Sequence, residues 1–134
     1  MKPISQEHNF GCGAACVAFI LKKSYSEVVC VLEKTKAESK GFFCKDLVEA
    51  FSIFNRTYSY KYLKSRLRRK IHRNGVIVFI KRSSRYPSGH YLTYFNGQWM
   101  DPWRNKNVGE VRAGFRKRLP GTPIYALFPE QNRF

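Results

Sequence analysis

The chain has 134 residues, 25 Lys plus Arg against 9 Asp plus Glu, four Cys, 43% hydrophobic residues and 16% aromatics. This is enough for one compact domain spanning 1–134 but not for two, and the aromatic content excludes disorder. No run approaches the roughly 18 apolar residues of a membrane span, and the N-terminus MKPISQEHNF lacks the apolar centre of a secretory signal, so a cytoplasmic location is expected. A net charge of +16 commonly accompanies an acidic partner such as nucleic acid, an anionic membrane surface or an acidic protein.

In chain order, a buried helix is expected from Cys12 to Lys23, entered from a turn between Gly11 and Gly13. Ser24 and Glu27 form a capping box for a second helix carrying Val28, Val29 and Leu32. Gly41 precedes a third, in which Leu47, Ala50, Phe51 and Phe54 recur at helical spacing. Tyr58 to Tyr62 fits either class. A short basic helix is expected from Leu63 to Arg73, with Leu63, Leu67 and Ile71 inward. Beyond Asn74-Gly75 the pattern becomes strand-like. Val76 to Ile80 reads as a central strand, His90 to Phe95 and Gln98 to Met100 as a hairpin turning at Asn96-Gly97, and Ile124 to Phe128 as a last strand. The fold class is therefore α+β, N-terminal helices packed on an antiparallel sheet.

Cys12, Cys16, Cys30 and Cys44 read as thiols in a chain with no export signal. Cys12-x3-Cys16 followed by two 13-residue gaps lacks the paired knuckles of a zinc site, so no metal and no cofactor is assigned. Cys12 itself follows a Gly at a helix start, where unpaired N–H groups and the helix dipole favour the thiolate. Gln6 can fold back to place its amide beside the sulfur and stabilise an oxyanion. A histidine opening one hairpin strand (His90) and an acid closing its partner (Asp101) can lie side by side, so that Asp101 accepts from the imidazole and fixes its tautomer.

Gln6, Cys12-Gly13-Ala14-Ala15-Cys16, Gly89-His90-Tyr91 and Asp101-Pro102 resemble, in order and spacing, the Gln-x5-Cys-Gly-x-Ala-Cys, His-Tyr/Phe and Asp-Pro motifs of the C39 peptidases, papain-like bacterial enzymes that cleave double-glycine leader peptides. The resemblance spans roughly residues 5 to 103. It implies a papain-like fold with Cys12 as nucleophile, His90 as general base, Asp101 as orienting acid, and Gln6 with the Cys12 N–H as oxyanion donors. This chain departs from leader-processing exporters in having neither a membrane segment nor a nucleotide-binding motif, and in carrying Asn9 and Gly11 where the family often shows acids.

Charge is the other departure. Between Glu49 and Asp101 there is no acid, while Arg56, Lys61, Lys64, Arg66, Arg68, Arg69, Lys70, Arg73, Lys81, Arg82 and Arg85 supply eleven positive charges; Arg104, Lys106, Arg112, Arg116, Lys117 and Arg118 follow. Tyr58, Tyr60, Tyr62, Tyr86, Trp99 and Trp103 interleave with these, as on surfaces that stack bases and neutralise phosphates. Two functions from different classes are expected. One is a cysteine hydrolase acting on a peptide or amide bond of an acidic protein substrate. The other is an RNA- or tRNA-cleaving toxin or effector domain, delivered into a target cell and held in check by a cognate acidic inhibitor protein. Either would use a binding face of Lys64, Arg66, Arg68, Arg69, Arg73, Arg82, Arg85 and Arg104.

Overall fold

A computed structural model describes residues 2–32, 36, 38, 41–105 and 109–130. Lys106 of the second basic cluster lies outside them. Among the described residues, helices α1 (Cys12–Leu21), α2 (Tyr25–Val31) and α3 (Cys44–Ile53) pack on a six-stranded sheet. The strands are β1 (Tyr58–Tyr62), β2 (Ile77–Ile80), β3 (His90–Phe95), β4 (Gln98–Asp101), β5 (Gly114–Arg116) and β6 (Pro123–Pro129). Every neighbouring pair is antiparallel, in the order β1-β6-β2-β3-β4-β5. No helix among the described residues is long and apolar enough to cross a membrane.

Helix α1 is apolar on every side, and Gly13 through Phe19 are all buried. Its small residues let neighbours approach closely: a Cβ on Gly13 would stand 3.1 Å from Leu47 of α3 and 3.2 Å from Tyr91 of β3. Lys22, in the left-handed conformation, ends the helix by donating its N–H to the Ala18 and Phe19 carbonyls. The capping box of α2 is formed as expected, with Ser24 Oγ accepting from the Glu27 N–H at 3.1 Å and Glu27 Oε1 from the Ser24 N–H at 3.2 Å. Helix α3 starts where Asp46 accepts the Phe43 N–H (2.8 Å), and Phe54 caps its end instead of lying inside it.

The sheet carries a core on each face. Helices α1 and α3 cover one, with Phe19, Leu47, Phe51, Ile77, Tyr91 and Met100. On the other, Leu63 and Ile71 close over Val78, Ile80, Leu92 and Trp99. The segment between Leu63 and Ile71 is not the helix expected from its periodicity; only Leu67–Lys70 forms a 3-10 turn. Lys64 and Arg68, Arg66 and Arg69, and Arg66 and Lys70 would stand as like-charged neighbours on an α-helix, and that repulsion works against it. The ambiguous tyrosine segment is β1, fixed by Tyr58 stacking on Phe51 (3.7 Å between ring centroids, 8° between planes). The hairpin turn lies at Asn96 and Gly97, both at positive φ (48° and 83°), as a two-residue turn with the twist of the sheet requires.

Candidate functional site

Three pieces of chain meet at one end of the sheet. The first is the loop from Gln6 to Gly11 that delivers Cys12 to the N-terminus of α1. It is pinned internally: Gln6 Nε2 donates to the carbonyls of His8 (2.9 Å) and Asn9 (3.0 Å), Gly11 N–H to the His8 carbonyl (3.0 Å), and the His8 ring stacks on Tyr25, its Nδ1 2.9 Å from the Tyr25 hydroxyl. A Cβ on Gly11 would collide with that hydroxyl. The Gln6 N–H reaches the Pro102 carbonyl (3.3 Å), tying this loop to the third piece. No side chain caps α1, and its first turn carries no acid. The Cys12 sulfur instead accepts the Tyr91 backbone N–H at 3.4 Å, which seats it beside the start of β3.

The second piece is that strand start. The β3–β4 register pairs Thr93 with Met100, so Asp101 falls opposite Leu92 and His90 is its diagonal neighbour on the same face. The imidazole Nε2 lies 2.6 Å from Asp101 Oδ1. The other ring nitrogen is left for Cys12, which lies near enough for its charge to act on the ring. Both His90 (3% exposed) and Asp101 (0%) are buried, and Tyr86 stacks on the imidazole at 4.6 Å and 15°.

The third piece is the end of β4. Asp101 accepts three donors: His90, the Trp103 N–H at 2.9 Å on Oδ1, and Arg116 Nε at 2.7 Å on Oδ2. Burial alone would push its carboxyl up, but the bond to His90 and its charge, then Arg116 and the Trp103 N–H, hold it below its ordinary value. Burial likewise pushes the His90 imidazolium toward losing its proton. The negative charge and hydrogen bond of Cys12 and the Asp101 carboxylate outweigh that, raising it from 6.5 to about 9. The Cys16 thiol, buried one turn along α1, is pushed well above its ordinary value by burial, then by Cys12 and Asp101.

Because His90 takes up its proton more readily folded than unfolded, its ion pairs stabilise the fold fully below about pH 6.5, and this contribution disappears as pH rises through about 9. The thermal midpoint of the wild-type chain should therefore exceed that of His90→Gln most at pH 6, with the gap narrowing by pH 10. A gap that widens with pH would contradict the ion-paired arrangement.

Cys12 and His90 line a cavity of about 870 Å3. Gln6, Phe42, Phe43, Tyr60, Phe79, Tyr91, Trp103 and Tyr125 supply much of the remaining wall; among the described residues its charged side chains apart from His90 are Lys45 and Arg82, and no Asp or Glu lines it. Gln6 is 2% exposed, and while both hydrogens of its amide go to carbonyls, Oε1 has no hydrogen-bond partner among the described residues.

The expected basic face is divided by the fold. Arg82 lies on the cavity wall. Arg85 and Arg104 lie at the outer edge of the Asp101 site, where Arg85 Nη2 is 3.5 Å from the Arg104 carbonyl. Lys64, Arg66, Arg68, Arg69 and Arg73 are exposed on the segment that closes the sheet face opposite α1 and α3, and Arg73 Nη2 donates to the Pro129 carbonyl at 2.6 Å. Of the aromatics grouped with them, Tyr58, Tyr86 and Trp99 are core residues and only Tyr60 and Tyr62 are well exposed. Two contributors to the site escaped the sequence reading: Arg116, which had no visible link to Asp101, and Tyr86, which could be read as surface or core. Cys30 is exposed and Cys44 buried, and no group of three or more His, Cys, Asp or Glu among the described residues is arranged to hold a metal.

Helices on one face of an antiparallel sheet, with a Cys at the first helix's N-terminus facing a His and an Asp on the sheet, define a papain-like α+β fold. The same fold occurs in the crystal structure of the peptidase domain of Streptococcus ComA, described as a bi-functional ABC transporter involved in a quorum sensing pathway: TM-score 0.63, 18% identity, covering 98% of both chains. The peptidase domain of Streptococcus mutans ComA is also similar, with TM-score 0.55, 18% identity, 98% of this chain and 100% of that one covered. No family model matches the sequence. No curated protein matches it either. The likeness is thus one of fold, and the papain-like architecture expected from the sequence motifs is the one observed.

Proposed function

We propose that this protein is a cysteine-dependent hydrolase of peptide or amide bonds. The observation that carries the reading is that Cys12 and His90 share the wall of one cavity while the His90 Nε2 lies 2.6 Å from the buried Asp101 carboxylate. Three side chains far apart in sequence, two of them buried and charged, are costly to assemble without a use for them.

In this mechanism the Cys12 sulfur attacks the substrate carbonyl carbon, and the electron pair of the C=O bond moves onto oxygen. The Cys12 N–H and the Gln6 amide stabilise that oxyanion, Gln6 exchanging its 3.0 Å bond to the Asn9 carbonyl for the new acceptor. When the tetrahedral species collapses, His90 gives its proton to the departing amine and a thioester forms on Cys12. Water then attacks the thioester while His90 takes a proton from it, the C–S bond breaks, and the acid product leaves. Asp101 holds the ring so that Nε2 faces inward and the other nitrogen faces sulfur.

Lys45 and Arg82, on a wall to which no acid among the described residues contributes and among Phe43, Tyr60 and Tyr125, favour an acidic segment of a protein substrate with apolar side chains. The test is cleavage of peptides matched in length but differing in charge, with Cys12→Ala as control. Acidic peptides should be preferred, and Arg82→Glu should reverse the preference. Gln6→Ala should lower kcat by roughly a hundredfold with little change in KM, as for loss of one oxyanion donor. Turnover of tRNA with all peptides intact would overturn the reading in favour of a nuclease.

A further inference from the structure

We propose that Arg116 is a positioning residue of this site: from the edge strand β5 it grips one oxygen of Asp101, so that the other stays turned to His90. The proposal rests on the hydrolase reading above. Strand β4 runs between β3 and β5, and in the β4–β5 register Asp101 lies opposite Gly114 while Arg116 lies opposite Trp99. Arg116 is therefore the diagonal neighbour of Asp101 on one side, as His90 is on the other, and all three point to the same sheet face. At Gly114 the Arg104 side chain comes close: a Cβ there would press on it at 2.7 Å.

The contacts divide the two carboxylate oxygens. Oδ1 takes His90 and the Trp103 N–H, and Oδ2 takes Arg116 Nε at 2.7 Å. Arg116 is itself held, its Nη2 donating to the Arg104 carbonyl at 3.0 Å. Its side chain is only 15% exposed, so the pair is shielded from water and salt. Of the neighbouring arginines, Arg104 sends Nε to the Phe115 carbonyl (2.9 Å) and Arg85 lies over the Tyr86 ring, 5.6 Å from its centroid. The groups acting on Asp101 are thus His90 from β3, Arg116 from β5, the Trp103 N–H after β4, Tyr86 from the loop before β3, and Cys16 from α1. The Tyr86 hydroxyl sits beside the guanidinium without an aligned hydrogen bond.

What the pairing supplies follows from the reaction cycle. His90 is cationic before it protonates the leaving amine and neutral afterwards, so a fully buried carboxylate supported by His90 alone would lose its counter-charge midway through each turnover. Arg116 is cationic at every stage. It keeps Asp101 an acceptor, and the imidazole in one tautomer, while the proton is away. It also sets a permanent positive charge beside the Asp101 carboxylate.

The experiment compares the wild-type full chain with Arg116→Lys, Arg116→Gln, Asp101→Asn and the double variant Asp101→Asn/Arg116→Gln. It follows alkylation of Cys12 by iodoacetamide across pH 4 to 10 by mass mapping, with exposed Cys30 as internal reference. In Arg116→Gln the Asp101 charge across the imidazole from Cys12 is no longer compensated, so fast Cys12 alkylation should begin about one pH unit higher, a roughly tenfold slower rate on the acid limb. Arg116→Lys should stay close to wild type. The double variant, an amide pair in place of the ion pair, should fold and lose less than the two single variants together. An Arg116→Gln profile that superimposes on the wild type, or additive single effects, overturns the proposal. If Arg116→Gln does not fold, a double variant that also fails to fold overturns it, because Arg116 would then matter for packing and not for charge. A wild-type Cys12 no faster than Cys30 sinks the hydrolase reading itself, whereas a fast Cys12 indifferent to Arg116 sinks this inference alone.

Discussion

Cys12→Ala and His90→Ala are each expected to remove hydrolysis to below detection, a fall on the order of a millionfold in kcat, and the double variant is expected to be no worse than either. Non-additivity is the informative part, since a nucleophile and its proton carrier act in one step and removing either leaves the other nothing to do. The two changes differ in their structural cost. Cys12 is partly exposed on the cavity wall, so trimming its sulfur costs little beyond the 3.4 Å contact to the Tyr91 N–H. His90 is sandwiched between Tyr86 and the Asp101 carboxylate, and its loss leaves Asp101 with the Trp103 N–H and Arg116 only. His90→Ala should therefore be less stable by about 1–3 kcal/mol while still folding, which calorimetry separates from the catalytic loss. Retention of full activity by either single variant would end the proposed mechanism.

How much of this was legible in the sequence depended on the range of the interactions. The α2 capping box and the Asn96-Gly97 turn are contained within four residues, and both stand where their chemistry predicts them. Cys12, His90 and Asp101 each sit at an element start or end that the sequence marks, and the fold brings these ends together; Gln6, in the loop before α1, was marked only by its motif spacing from Cys12. Arg116 was not, because nothing local distinguishes an arginine that crosses a sheet to a buried carboxylate from its neighbours Lys117 and Arg118. Strand β5 is only three residues long and carries no alternation that could be read. The stretch from Leu63 to Ile71 misled in the opposite direction. Its spacing of apolar residues suits a helix, and it does bury Leu63 and Ile71, but through an irregular path in which only Leu67–Lys70 forms a 3-10 turn. Tyr86 could be read as surface or core, because its flanking residues, Arg85 and Pro87, are those of a surface loop, while its ring is buried against His90.

Gly89→Ala should disable the site without touching any group in the proposed chemistry. Gly89 has φ +77°, and a Cβ there would lie 2.8 Å from Cε1 and Cε2 of Phe79 and closer still to its Cζ. Left-handed backbone costs an L-residue about 1–2 kcal/mol, and the clash adds to it. Phe79 cannot simply retreat, since its ring packs against Tyr91 at 4.8 Å between centroids, and Tyr91 in turn donates its N–H to Cys12 and its hydroxyl to the Phe42 carbonyl (2.8 Å). Strain at Gly89 is therefore passed directly to the residue after it, His90, and through Phe79 to the strand that seats the sulfur. A displacement of about 1 Å between two reacting groups can lower a rate roughly a hundredfold. The expectation is a loss of that size in kcat/KM together with about 2–3 kcal/mol of stability. Gly97→Ala isolates the backbone component: Gly97 has φ +83° in the β3–β4 turn, and nothing lies within 4 Å of a Cβ built on it. It should lose about 1–2 kcal/mol and, below its unfolding temperature, retain wild-type turnover. If Gly89→Ala matched Gly97→Ala in both stability and turnover, the close approach of Phe79 to the backbone before His90 would have no part in holding the imidazole against Cys12.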